Sequence, residues 1–374
     1  MEDFMTTQMG TPMGTPEGDD YSTITDDYSS GTEDYSEFSS CDKSYVREFR
    51  KYYEPPLYAV IVSLGVIGNF LVLWIYVHFK SRKKTMTDVY LMNLAVADLL
   101  FLLTLPLWAS DALRGWTFGS LLCKFTSACY KINFFSSMLL LTCISVDRYI
   151  VIVQTTKAQN SKTTRLLCSK LVCLIVWLLA VFLAVPELIF ASKKDDPDSD
   201  WQFCTLVYWA NEHNRTKILV LVLQIFMGFC VPLVVMIFCY SCIILTLMKT
   251  RNFEKHKALR VIFAVVAVFV LSQLPYNAML IVEASQAANV TITNCDISQN
   301  FDIAAQIMKG VAYTHCCINP FLYVFIGVRF RRDLLKMMQY YGCVSPKGKL
   351  SKLYGTPFRA SVMSDTDTTQ ALSL

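Results

Sequence analysis

Ionisable and strongly hydrogen-bonding side chains stand inside long apolar runs of this 374-residue chain, where a charge is costly and usually functional. Asp98 sits in NLAVADLL, Asp147-Arg148-Tyr149 closes a second run, and Lys309 shares a third with Asn319-Pro320-Phe321-Leu322-Tyr323. Gly68-Asn69 and Gln273-Leu274-Pro275-Tyr276 add amides in two more. A carboxylate such as Asp98 can hold a proton, a cation or a set of amides. Adjacent Asp147 and Arg148 can form an ion pair that opens and bares the guanidinium. None of this is bond-making chemistry. The sequence offers no nucleophile–base pair, metal-ligand spacing or Gly-rich phosphate loop, so an enzyme is not expected.

The runs that carry these residues are the main architectural signal. Apolar residues make up 54% of the chain and charged residues 17%, against about 25% charged in ordinary soluble domains. Mean hydropathy is +0.39. Such a chain cannot clothe itself in a normal hydrated surface, which argues against nucleic-acid-binding and disulfide-dense secreted classes. A membrane span needs about 20 mostly apolar residues, and seven stretches qualify: roughly 57–79, 88–112, 123–153, 166–190, 217–248, 259–286 and 303–326. No period of 20–50 residues repeats, so a solenoid is not expected. Residues 1–56 hold no apolar run long enough for a cleavable signal, and the first span is expected to act as its own insertion signal.

Basic residues set the expected orientation. Lys80, Arg82, Lys83 and Lys84, then Lys157, Lys162 and Arg165, then Lys249, Arg251, Lys255, Lys257 and Arg260 fill three short loops on one side, which should be cytoplasmic. The N-terminus is then outside and the C-terminus inside. Sequons at Asn214 and Asn289 fall on the predicted outer side, as glycosylation requires. The expected divisions are a structureless acidic extracellular tail over 1–56, a bundle over 57–343 and a cytoplasmic tail over 344–374.

The charge is unevenly spread. Residues 1–41 hold ten Asp and Glu and no Lys or Arg, so this segment is −10 while the whole chain is +4. Within it, Asp19-Asp20-Tyr21, Asp26-Asp27-Tyr28 and Glu33-Asp34-Tyr35 recur at seven-residue spacing. Acid-flanked tyrosines in a secretory-pathway tail are sulfotransferase substrates, and three sulfates would bring the tail to roughly −13. A flexible polyanion attracts a basic partner and raises its on-rate; the plainer reading is a solubilising tail.

Of fourteen cysteines, only Cys41, Cys123, Cys204 and Cys295 fall at or beyond the predicted outer face, and four cysteines allow three pairings. At the other face, residues 328–338 (VRFRRDLLKMM) read as a basic amphipathic helix lying on the lipid surface, with Cys343 just beyond as a palmitoylation candidate. Thr356, Ser361, Ser364, Thr366, Thr368, Thr369 and Ser373, interspersed with Asp365 and Asp367, make a phosphorylatable tail that would suit a basic groove on an arrestin.

Taken in order on seven spans, with Trp177, Pro232 and Tyr240 added, these motifs resemble the rhodopsin-like G-protein-coupled receptors over about residues 57–340. Thr104-Leu105-Pro106, Gln273-Leu274-Pro275-Tyr276, DRYIVIVQ, the four outer cysteines and the tyrosine-acid tail resemble the chemokine receptors, and KTMTDVYLMNLAVADLLFLLTLPLWA, KHKALRV and FIGVRFRRDL resemble the CC group. The resemblance implies an all-α seven-transmembrane bundle with an eighth amphipathic helix on the inner leaflet. It implies a basic CC chemokine as ligand, the thymus-expressed chemokine by nearest likeness, together with an inhibitory-class heterotrimeric G protein and arrestin as partners. The expected disulfides are Cys123–Cys204 and Cys41–Cys295. Asp147, Arg148, Tyr149, Tyr240, Asn319, Pro320 and Tyr323 would form the G-protein switch. A sodium ion would use Asp98, Ser137 and Asn319, with Asn69 nearby; the competing reading is a protonated Asp98 bonded to amides.

The bottom-up pattern agrees with these roles. Tyr130, Phe134, Ser137, Leu141, Ile144 and Arg148 share one helical face, and Lys309, Tyr313, Cys316, Pro320 and Tyr323 another. Pro106, Pro186, Pro232, Pro275 and Pro320 are expected to interrupt five helices. Tyr58, Trp108, Tyr130, Lys131, Tyr276, Glu283 and Lys309 are expected to line an outer cavity. Lys309 departs from the family, since many CC receptors carry an acid there that anchors a chemokine's positive N-terminus; Glu283 is the expected substitute. A scavenging receptor that internalises chemokine through arrestin is the alternative, weakened by the intact Asp147-Arg148-Tyr149. A transporter would show inverted repeats, and an opsin would need its lysine at Tyr313.

Overall fold

The computed structural model describes residues 42–79, 86–154, 162–195, 201–208, 214–249, 253–288, 294–326 and 328–343. The predicted sulfation sites Tyr21, Tyr28 and Tyr35, the sequon Asn289, Cys41 and all seven predicted phosphorylation sites lie outside these residues.

Helices dominate the described chain. Ser44–Trp74 forms α1, extended by a π-helical turn at Ile75–Phe79; Met86–Leu102 and Leu105–Arg114 form α2 and α3. Gly119–Val153 is α4, Lys162–Leu183 α5 and Val185–Phe190 α6. An antiparallel hairpin follows, β1 (Ala191–Asp195) and β2 (Gln202–Leu206), with Lys193 opposite Cys204. Arg215–Ile225 (α7), a π-helical turn and Val231–Lys249 (α8) make one run, Phe253–Ala288 is α9, Cys295–Tyr313 and His315–Ile326 are α10 and α11, and Val328–Tyr340 is α12.

Six helical runs among the described residues are long and apolar enough to cross a membrane: 44–78, 86–114, 119–153, 166–190, 215–248 and 263–288. The seventh predicted span, 303–326, is helical but split at Thr314 into α10 and α11; α10 begins at Cys295, so it also carries Asp296 and Asp302 ahead of the span, and Lys309 lies within it. The helix α4 runs through the middle of the bundle and packs on α2, α5, α6, α8 and α9. Its buried residues point in every direction, as befits a helix enclosed by others. By contrast α5 exposes Leu171, Leu174, Leu178 and Phe182 at helical spacing, an apolar stripe suited to lipid tails.

The first boundary moves outward from residue 57. Helix α1 begins at Ser44 and carries Pro55 and Pro56 within it. The carbonyls these prolines would leave unbonded belong to Lys51 and Tyr52, both exposed, so solvent can satisfy them. Asp42 accepts from the hydroxyl (2.6 Å) and backbone N–H (2.8 Å) of Ser44, which holds its carboxylate below the usual range.

The prolines act less uniformly than expected. Breaks fall two residues before Pro106 and Pro186, at Thr104 and Ala184, and a π-helical turn, Phe226–Cys230, ends just before Pro232. Pro275 and Pro320 lie inside helices that run on. At Pro320 the reason is visible. The carbonyl four residues back, on Cys316, accepts from Asn69 Nδ2 at 2.7 Å, so a side chain of α1 replaces the missing backbone donor. Gly68 makes room for this contact, since a Cβ there would lie 2.8 Å from the Pro320 Cβ. Asn69→Ala should therefore strand a buried carbonyl at a cost of about 1–3 kcal/mol. Thermal unfolding of the purified receptor would register the loss, and an unchanged midpoint would remove Asn69 from this role.

Candidate functional site

At one end of the bundle the hairpin is fixed to α4 by the Cys123–Cys204 disulfide, as expected. Cys295 is also disulfide-bonded, and its expected partner Cys41 lies outside the described residues.

Beneath this end, aromatic residues from six helices converge. Tyr313 lies 4.8 Å from Phe101, 5.0 Å from Tyr130 and 5.9 Å from Tyr58, centroid to centroid. Tyr276 stands edge-on to Tyr130 at 6.4 Å, and Trp108 packs against the same cluster. Lys309 lies over the rings of Trp108 (5.3 Å) and Tyr313 (5.8 Å). Lys131 lies 5.4 Å from the Tyr130 ring, so six of the seven predicted lining residues meet in one region; the seventh, Glu283, is near enough to act electrostatically on Lys131 and Tyr276 but bonds elsewhere. It is paired with Lys217 on α7 at 2.9 Å and stands about one-third exposed.

Several residues at this end were not foreseen. Lys131 donates to Gln224 Oε1 on α7 and lies 3.7 Å from Glu187 of α6. Arg50 on α1 donates to Glu54 at 2.6 and 3.2 Å and to Asp111 on α3 at 2.9 Å. Both carboxylates are 2% exposed. The signals were faint but present: Arg50 and Glu54 are four apart on one helix, and Glu187 and Gln224 are polar residues inside apolar runs.

Midway along the bundle lies Asp98, fully buried. Its carboxylate accepts from Asn133 Nδ2 at 3.0 Å and Asn319 Nδ2 at 3.1 Å. His315 Nε2 comes within 3.8 Å, and Cys316 Sγ lies 3.2 Å from that nitrogen. Asp98, His315 and Cys316 present their ligand atoms within 4.8 Å of one another. Asn69 Oδ1, Ser137 Oγ and Asn319 Oδ1 are buried oxygens without a hydrogen-bond partner among the described residues. These are the hard donors that a sodium ion takes, while His315 and Cys316 are softer ones. Asn133 stands one residue off the predicted face of α4, which is why periodicity passed it over.

At the far end Arg148 is covered, with 3% of its surface exposed. Its guanidinium donates to Thr87 Oγ1 on α2 and lies 3.5 Å from Asp147. The Tyr240 hydroxyl on α8 accepts from Ser145 at 3.2 Å, Tyr149 packs tilted against Phe238 at 5.7 Å, and the buried Tyr323 lies 6.2 Å from Phe330 of α12. Thr87 was missed because a threonine in a helix ordinarily bonds its own backbone. The eighth helix α12 is anchored by Phe330 and Leu335, both buried, with Cys343 exposed past its end.

The sequence matches the family model for the 7 transmembrane receptor (rhodopsin family) over residues 68–323. It is 47% identical to human C-C chemokine receptor type 9 over 305 residues, covering 82% of each chain. Human C-C chemokine receptor type 7 is 47% identical over 307 residues, covering 82% of this chain and 80% of the relative. Human C-C chemokine receptor type 6 is 41% identical over 317 residues, covering 84% of both. Types 9 and 7 are thus equally similar.

Proposed function

The chain belongs to the rhodopsin-family seven-transmembrane receptors and, within them, to the CC chemokine receptors, and from that premise we propose that it captures a basic CC chemokine outside the cell and activates an inhibitory-class heterotrimeric G protein inside. The observation that carries this reading is the state of Arg148. A guanidinium buried between Asp147 and Thr87 at one end, with the buried Asp98 amide network midway and an aromatic, lysine-bearing region at the other end, supports the reading of a restrained switch. Agonist favours a state in which α9 swings outward around Pro275, carrying its basic inner end with it and uncovering Arg148 for the C-terminal helix of the G protein. A ligand drives this only through its differential affinity for the two states, and a few kcal/mol suffices.

By likeness to the type 9 receptors, the thymus-expressed chemokine is the first ligand to try. The acidic tail, sulfated at Tyr21, Tyr28 and Tyr35, supplies long-range capture. Replacing all three by Phe should slow chemokine association, most visibly at low salt; unchanged association kinetics would leave the tail a merely solubilising role. The extracellular N-terminus follows from the loop charges. Glycosylation at Asn214, which is exposed, and at Asn289, palmitoylation of Cys343 and arrestin recruitment by the phosphorylated C-terminal tail complete the reading. Asp98, Ser137 and Asn319, with Asn69 beside them, would hold a sodium ion, whose charge would stabilise the restrained state. The test of the function is whether a CC chemokine lowers cyclic AMP in cells expressing the chain, and whether pertussis toxin removes that response.

A further inference from the structure

The first turns of α1 carry a cluster of rings that the bundle leaves largely open. Tyr45, Glu48, Phe49, Tyr52 and Tyr53, at helical spacing, line a depression of about 420 Å³. Phe49 and Tyr53 stack at 5.1 Å with their planes 19° apart, and the Tyr53 hydroxyl donates to the carbonyl of Ile307 on α10 at 3.4 Å, so two of the rings are held in place. Tyr45 and Tyr52 are 60% and 71% exposed. Glu48 stands among these rings, exposed, and no cation or donor bonds it among the described residues, Lys51 included. Aromatic rings around a carboxylate are the complement of a quaternary ammonium, which they hold by cation–π attraction and by charge. The exposed face continues without a break into the apolar run. Val60, Ile67 and Phe70 follow Tyr45 and Tyr52 at helical spacing and are each more than half exposed, a stripe suited to lipid tails. Tyr53 and Tyr52 lie four and five residues before Leu57, where that run starts, or about 6–8 Å outward. This is the depth of one headgroup layer, about 5–8 Å.

We propose that Tyr45, Glu48, Phe49 and Tyr52 form a site on the lipid-facing side of α1 that takes the choline headgroup of an outer-leaflet phospholipid, whose tails lie along Val60, Ile67 and Phe70. This rests on the outward placement of the N-terminal end and not on the identity of the chemokine. The exposed Lys51 offers a cation to the phosphate of the same headgroup. The plainer role for tyrosines at this depth is an interfacial belt with no preference among headgroups. Glu48 and the rings together set the two apart. A trimethylammonium meets rings and carboxylate at once, whereas the ammonium of ethanolamine is strongly hydrated and a glycerol headgroup has no cation.

Two arms test the preference and its place. In the first, the full-length receptor in detergent is offered phosphatidylcholine, phosphatidylethanolamine and phosphatidylglycerol with identical acyl chains in equal amounts, and bound lipid is counted by native mass spectrometry. The unmodified chain should retain phosphatidylcholine about threefold or more over either of the others. Glu48→Gln, and Tyr52→Leu, which keeps apolar bulk but removes a ring, should each shrink that preference, and Glu48→Lys should abolish it. Both positions are exposed, so all three variants should reach the cell surface as the unmodified chain does. In the second arm, a phosphatidylcholine with a photoreactive group in one acyl chain should label α1 between residues 59 and 70 in nanodiscs, and Glu48→Lys should lose the label. Equal retention of the three lipids by the unmodified chain would leave a plain aromatic belt and overturn the site. A preference that survives all three variants, or a label confined to other helices, would overturn its place. Tetramethylammonium binding by calorimetry with no preference among lipids would assign the cluster to a soluble amine. Weakened chemokine binding in Glu48→Gln, again with no lipid preference, would assign it to the chemokine. A receptor–receptor cross-link through α1 in place of the lipid label would give the stripe to a second copy.

Discussion

Arg148→Ala is expected to abolish G-protein activation while chemokine binding at the cell surface stays within about threefold of the unmodified receptor. The asymmetry follows from where the residue sits. Arg148 lies at the end of α4 opposite the disulfide, where Asp147 and Thr87 hold it. Its guanidinium offers a fixed fork of donors, and hydrogen bonds to a charged group contribute about 1.5–3 kcal/mol each. Two such bonds to a G protein account for a loss of about a hundredfold or more in coupling. The same geometry predicts an opposite effect from its restraints. Thr87→Ala removes an acceptor that holds Arg148 in the covered state, so ligand-independent loading of a GTP analogue on membranes should rise several-fold. A Thr87→Ala receptor with unchanged basal activity would show that the Thr87 contact is incidental, and full signalling by Arg148→Ala would remove the switch from this residue.

Arg50→Ala is expected to be the most destabilising single change at the other end. It would leave Glu54 and Asp111, each 2% exposed, as buried carboxylates without their shared cation. Breaking a buried pair from one side costs about 3–5 kcal/mol, enough to deplete the folded receptor at the surface several-fold. Restoring neutrality with Glu54→Gln and Asp111→Asn in the same chain should recover much of the surface level. Arg50→Lys should not, because one ammonium cannot reproduce a fork that serves Glu54 through two nitrogens and Asp111 through one of them. Flow cytometry against an N-terminal tag, paired with thermal unfolding in detergent, reads both effects. A triple variant no better than Arg50→Ala would show that the guanidinium acts by packing rather than by charge.

Much of this architecture was legible because the bilayer imposes a simple rule: about 20 apolar residues for each crossing. Six crossings follow directly, and the polar residues stranded in two of them mark Asp98 and Arg148 as centres of interaction, as Asn319 is marked in the split seventh. What escaped was whatever depends on two helices at once. Glu187 and Gln224 are unremarkable until α6 and α7 are seen to bring them to Lys131. The prolines read as interruptions because a proline inside a helix loses a hydrogen bond and weakens the helix there. Whether the helix breaks depends on what else reaches the freed carbonyl: Asn69 at Cys316, or solvent at Lys51 and Tyr52. Glu283 was read as a replacement anchor from its position alone, and its pairing with Lys217 is a tertiary fact.

The role proposed for Arg148 requires that this receptor convert chemokine binding into G-protein signalling. The most direct measurement is cyclic AMP in cells expressing the full chain, stimulated with forskolin and challenged with a panel of purified CC chemokines, with and without pertussis toxin and beside cells expressing Arg148→Ala. One chemokine, with the thymus-expressed one tried first, should suppress cyclic AMP in a toxin-sensitive manner in the unmodified cells and fail to do so in the Arg148→Ala cells, although it binds both. Uptake of a labelled chemokine with arrestin recruitment, and no change in cyclic AMP in the unmodified cells, would contradict the account and make the protein a scavenger.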